Sequence, residues 1–237
     1  GLVQELTCRE IESLYDRHPW LYAFCREHLF RDDFHRIATS LWPKGDPATG
    51  STFVELGCGP GFYACRMAER FKHLQVVGVD SSEQQLEHAR CRAAARGLSN
   101  CHFEKDDALA LTQRDETVDA LVVSRLFTIV SKRDQVLAEM YRILRPGGRC
   151  FIAEPRSGGC TALPLLGMRL LAGVADACAN RHMTYREPTT ATVLSARRFE
   201  SMVRSQPWEH VEVWNDRWYQ YAVCGKTTNG WGSAVAR

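Results

Sequence analysis

The stretch FVELGCGPGFY, residues 53–63, sets Gly57, Gly59 and Gly61 at alternate positions directly after an apolar run. Glycines gather like this where a backbone turns sharply or must approach a ligand closely. A dinucleotide turn uses G-x-G-x-x-G, whereas the spacing here is G-x-G-x-G. No G-K-[ST] follows, so a phosphate-cradling P-loop is excluded. Glu55 precedes Gly57 by two residues, and a carboxylate there repels a pyrophosphate but attracts a cation. Asp80 lies 19 residues after Gly61, where an acid can accept both hydroxyls of a ribose. Asp106 and Asp107 come next, within reach of an adenine amino group. Three acidic sites without a phosphate-binding base describe a nucleoside that carries an amine and a positive centre.

Groups able to act on a second substrate are more scattered. Tyr15, His18, Arg125, Arg156, His182 and Tyr185 are candidates, with Tyr219 and Tyr221 alternating near the C-terminal end. Arg125 and Arg156 follow apolar runs, so each is expected at a strand end where a guanidinium can bind an anionic or carbonyl oxygen. Tyr219 or Tyr221 is expected to serve the core. The ten cysteines include no C-x-x-C pair, so no metal site is expected. Free thiols and the absence of a signal-peptide pattern point to a cytoplasmic protein.

These residues need a frame, and the chain supplies an alternating one. TFVELG, LQVVGVD, CHFEK, VDALVVS and RCFIAE read as strands, separated by helical runs at 62–71, after Ser81 or Ser82, and through QVLAEMYRIL. Ser81 and Ser82 each have a glutamine three residues on, a capping-box pattern, and Gly97 falls where a helix C-cap belongs. VEVWND and YQYAVCGK read as a closing antiparallel pair. The expected fold is α/β: a Rossmann-like, doubly wound, mostly parallel seven-stranded sheet whose last strand is antiparallel. Residues 1–49 are expected to form an N-terminal helical cap, and residues 50–237 the main domain, with PKGDPATG (43–50) as the joint.

Residues 160–179, CTALPLLGMRLLAGVADACA, approach the ~20-residue apolar length of a spanning helix. Pro164, Arg169 and Asp176 interrupt the run, so an amphipathic lid inserted after the fifth strand, over about 156–195, is the better reading. Its apolar face then covers a lipophilic substrate, packs on the sheet or makes a peripheral membrane contact. Lysine plus arginine is 30 against 28 acids, a net charge of +2. That balance does not predict nucleic-acid binding, which needs a concentrated basic surface. Oligomeric state is not legible.

VELGCGPG, VVGVDSS, KDDALAL, ALVVSRLFTIV and EMYRILRPGG stand in an order and spacing that resemble the class I S-adenosylmethionine-dependent methyltransferases. The resemblance covers roughly residues 50–155 and is similar to the branch holding ubiquinone and menaquinone C-methyltransferases and many small-molecule methylases. It implies a donor site in which Gly57, Cys58, Gly59 and Gly61 approach the methionine portion and Glu55 lies near its amino group. It further places Asp80 and Ser81 at the ribose, Asp106 and Asp107 at the adenine amino group, and Ala108 against the ring. Ser124 and Arg125 would border the sulfonium, and Arg125, His182 and Tyr185 would serve the acceptor. Quinone-type relatives often carry His-His after the fourth strand, where this chain has Thr128 and Ile129. The implied activity is methyl transfer from S-adenosylmethionine, leaving S-adenosylhomocysteine, to a small aromatic or lipophilic acceptor such as a quinone or specialised metabolite. A protein that binds the cofactor without methylating, or uses it for other chemistry, is the alternative.

Overall fold

The computed structural model describes residues 32–156 and 193–227, with Val174 and Cys178 between them. Tyr15, His18, His182 and Tyr185 lie outside the described residues, as do most of the cap and nearly all of the expected lid.

Seven strands form one sheet: β1 (Thr52–Leu56), β2 (Gln75–Asp80), β3 (Cys101–Lys105), β4 (Val118–Ser124), β5 (Leu144–Pro155), β6 (His210–Asn215) and β7 (Tyr219–Gly225). Their order is β3-β2-β1-β4-β5-β7-β6. The first five run parallel, and β7 is antiparallel to both of its neighbours, as the closing hairpin pattern predicts.

Side-chain alternation along the strands feeds two cores. Phe53, Val76, Phe103, Val122 and Phe151 face α1 (Phe34–Leu41), α2 (Phe62–Arg70) and α3 (Glu83–Ala95). Val54, Leu56, Leu121, Val123 and Ile152 face α4 (Arg133–Ile143) and α5 (Ala196–Val203). Because β1 pairs with β2 on one side and β4 on the other, the chain reverses its winding direction at β1. A crevice forms beyond the carboxyl ends of the strands at such a point.

Local chemistry explains most element ends. Ser82 is the N-cap of α3, with its hydroxyl accepting from Gln85 N, so the second of the two serine candidates fills that role. Gly97 follows α3 with φ 64°, the left-handed conformation that ends helices. RPGG follows the helix end directly, as the sequence predicts. There α4 ends at Ile143 and β5 begins at once, carrying Arg145–Gly148 inside the strand as an irregularity opposite Val118–Ala120. A Cβ on Gly148 would stand 2.9 Å from Arg145 O and 3.1 Å from Asp119 O, so the bulge needs a glycine at its tightest point.

Candidate active site

The glycine loop joins β1 to α2. Gly57, Gly59 and Gly61 have φ of 67°, 51° and 75°, a region that costs any other L-residue about 1–2 kcal/mol. At Gly61 space is also short, since a Cβ would lie 2.8 Å from Phe103 Cζ and 2.9 Å from Ala89 Cβ. The loop turns onto α2 through Gly61 N→Cys58 O (3.0 Å) and Cys65 N→Gly61 O (3.0 Å). Cys58 N also donates to Val79 O at 3.0 Å, which lashes the loop to the end of β2.

Asp80 organises this corner. One carboxylate oxygen accepts from Gly59 N at 2.8 Å, and the other accepts from Ser82 N at 2.9 Å. A half-buried acid thus holds the glycine turn against the start of α3. Ser81 beside it is exposed.

Glu55 sits elsewhere than its sequence position suggested. It is 4% exposed, and its Oε2 accepts from Ala64 N at 2.8 Å in the first turn of α2. It shares the strand face of Phe53, so its carboxylate passes beneath the loop and meets the otherwise unpaired amides of a helix N-terminus. Burial, together with the charges of Glu55 and Asp80, pushes the Cys58 thiol well above its ordinary range, which keeps it neutral.

Asp106, Asp107 and Ala108 follow β3, next to Asp80, and Asp106 N donates to Asp80 O at 3.2 Å. Asp106 is a loop organiser: its carboxylate accepts from Asp107 N (2.9 Å), Thr112 N (2.7 Å) and Thr112 Oγ1 (2.9 Å). Asp107 is exposed and accepts from Leu109 N at 2.9 Å. Of the two acids, Asp107 is the more exposed.

On the other side of β1, Ser124 ends β4 and Arg125 turns away from it with φ 60°, a left-handed conformation unusual for arginine. Arg125 N donates to Ala153 O at 2.9 Å, and its guanidinium donates to Tyr219 Oη. Tyr219 thus carries a polar duty at the end of β5 in addition to packing. Thr128 is buried, its hydroxyl donating to Arg125 O at 3.3 Å, and Ile129 is exposed. Arg156 is drawn toward the β6–β7 turn, donating to Asp216 O at 2.6 Å.

Glu154 is a buried acid beside the crevice that sequence reasoning passed over. It ends the apolar run of β5 and is 1% exposed. Its Oε1 accepts from Phe127 N at 2.8 Å, and its Oε2 has no hydrogen-bond partner among the described residues. Burial raises its pKa to about 8, against the opposing pull of the Phe127 amide, the Arg125 charge and the neighbouring Leu126 and Thr128 amides. A lone acid after FIA has no partner at a telling spacing, so only the fold reveals that it underpins the Arg125–Thr128 turn.

Among the described residues, no His, Cys, Asp and Glu side chains converge in a group of three or more suited to a metal ion. No described helix is long and apolar enough to cross a membrane.

A glycine loop between β1 and α2, an acid at the end of β2, and the 3-2-1-4-5-7-6 strand order give a Rossmann-like methyltransferase fold. Residues 53–148 match the family described as "Methyltransferase domain". A ubiquinone/menaquinone biosynthesis C-methyltransferase from Desulfotalea psychrophila is 31% identical over 160 residues, 63% of each chain. A demethylmenaquinone methyltransferase from Thermus thermophilus is 38% identical over 145 residues, 61% of this chain and 62% of that one. The match thus spans about three fifths of these relatives. A solved structure of a putative S-adenosyl-L-methionine-dependent methyltransferase from Methanococcus maripaludis shares the fold. Its TM-score is 0.67 at 16% identity, covering 94% of this chain and 98% of that one.

Proposed function

We propose that this chain transfers a methyl group from S-adenosylmethionine to a small aromatic or lipophilic acceptor. The observation that carries the reading is Asp80, whose carboxylate joins Gly59 N to Ser82 N at the point where the sheet reverses direction. The acid there can accept ribose hydroxyls, while Gly57 and Gly59 let the backbone approach the methionine portion and Asp107 accepts from the adenine amino group. This set suits a nucleoside with a cationic centre better than a dinucleotide, because the loop carries no basic side chain and Glu55 already takes an amide of the α2 start.

S-adenosylmethionine supplies a methyl group on a sulfonium sulfur that is already an excellent leaving group. The chain's tasks are then to align an acceptor in line with the sulfur–methyl bond, exclude water and receive a proton where the nucleophile carries one. Arg125 offers a guanidinium to an acceptor oxygen, and Ser124 borders the same space. The buried Thr128 replaces an imidazole-bearing position, which directs the reading toward acceptors already nucleophilic at neutral pH. His182 and Tyr185 remain proposed acceptor-side groups.

Calorimetric titration with S-adenosylhomocysteine tests the donor half. Binding is expected for the unaltered chain, with a loss of about 100-fold in Asp80→Ala, because two charge-assisted bonds to ribose are removed. Failure of the unaltered chain to bind sinks the proposal. Incubation with methyl-labelled donor and a panel of phenols, quinols and small carboxylic acids tests the acceptor half. Binding without label transfer to any of them would favour a cofactor-binding protein that does not methylate.

A further inference from the structure

The loop that carries Asp107 is held from the far side by α4: Gln135 Nε2 donates to Leu109 O at 2.9 Å, and Arg142 with Glu139 holds the residues beyond. Its head, residues 106–110, stands at the crevice and is internally tied: Ala110 N donates to Asp107 O at 2.9 Å, and Thr112 closes onto Asp106. Its tail, residues 111–115, lies against α4. There Arg142 directs its donors outward to the tail and to a neighbour on its own helix. Nη2 donates to Leu111 O at 2.9 Å and to Glu139 Oε2 at 2.7 Å. Nη1 donates to Gln113 O at 2.8 Å and to Asp115 Oδ1 at 2.7 Å, and Nε donates to Glu139 Oε1 at 2.9 Å. Glu139 completes the clasp by accepting from Leu111 N at 2.7 Å.

Leu111 is therefore gripped at both its amide and its carbonyl by one i, i+3 pair on α4. The bidentate geometry of a guanidinium on a carboxylate fixes orientation as well as distance, which a lysine cannot copy. The hydrogen bonds from Arg142 also lower the pKa of Glu139, which favours its charged form. Nothing in this network touches the crevice. Its reach ends at Leu111, one residue beyond the head segment.

We infer that Arg142 and Glu139 are positioning residues for base recognition: acting through Leu111, they set the placement of Asp107 and Ala108 and so the preference for a 6-amino purine. The inference rests on the S-adenosylmethionine reading of the crevice. A purely stabilising clasp would weaken every ligand of the site equally. A positioning clasp weakens the ligand that uses Asp107 and leaves one that cannot use it almost unchanged.

The test compares S-adenosylhomocysteine with S-inosylhomocysteine, in which the purine 6-amino group is replaced by oxygen, by calorimetry on the full chain. The unaltered protein is expected to favour the amino ligand by about tenfold, the scale of one hydrogen bond to an exposed carboxylate. Arg142→Met should reduce that preference to about twofold or less, mainly by weakening the amino ligand. Arg142→Lys should not restore it. Glu139→Gln, a milder change, should lower it part of the way. Asp107→Asn alone should match Arg142→Met, and the double variant should add little to either. Equal losses for both ligands, or full additivity with Asp107→Asn, overturn the inference while leaving the donor reading standing. Absence of S-adenosylhomocysteine binding by the unaltered chain overturns both.

Discussion

Glu154 makes stability depend on pH in the direction opposite to most carboxylates. In the folded protein its pKa is about 8, against an ordinary value of 4.5, because burial penalises the charge. The native state therefore holds a proton through an interval in which the unfolded chain has released it. Stability from this group is fully present below pH 4.5 and is lost as pH rises toward 8. At about 1.4 kcal/mol per pH unit, that interval amounts to about 5 kcal/mol as an upper figure. Glu154→Gln copies the shape of the neutral acid and keeps an oxygen for Phe127 N, but it cannot ionise. Urea unfolding of both proteins at half-unit steps from pH 5 to pH 9 isolates the effect, since all other titrations cancel in the difference. The glutamine variant should gain on the unaltered protein steadily between pH 5 and 8, reaching several kcal/mol, and the gap should then level off. Two curves that stay parallel across this range would refute the argument. A gap that opened with falling pH would show that Arg125 and the 126–128 amides outweigh burial.

Gly61→Ala combines a left-handed φ of 75° with a Cβ 2.8 Å from Phe103 Cζ. It should cost about 2–4 kcal/mol by urea unfolding, and a change below about 0.5 kcal/mol would contradict the reading of the loop. Asn100 is 8% exposed, and its Nδ2 faces Ala68 O, Phe71 O and Leu74 O at 3.1, 3.2 and 2.9 Å, bracketing the end of α2 and the start of β2. Asn100→Ala should cost about 2–3 kcal/mol and leave S-adenosylhomocysteine affinity within twofold, which separates scaffold from site.

Much of the frame was legible because periodicity and turn chemistry agree along the chain. The five parallel strands, the closing hairpin and the glycine turn all follow from local pattern. Where the reading slipped, the cause was an interaction that sequence spacing does not carry. Glu55 was read as lining the crevice, while its parity with Phe53 turns it beneath the loop onto α2. Glu154, Tyr219 and the Arg142 clasp depend on neighbours brought together by the sheet order, and no single segment announces them. The position of Asp80 beside the glycine loop was legible because it needs only the end of an apolar run at a fixed distance from the glycines.

The antiparallel β7 has a consequence for how the molecule assembles. It occupies the slot between β5 and β6, and it satisfies the backbone of Arg149–Pro155 with residues from the far end of the described chain. Until that slot is filled, β5 presents an apolar ribbon of unpaired amides and carbonyls, the template on which chains stack against one another. Completing the sheet therefore requires a late, long-range insertion of the β6–β7 hairpin, and long-range pairings of this kind form slowly. The same step seats Tyr219 against Arg125, so the turn after β4 is completed only when β7 has docked.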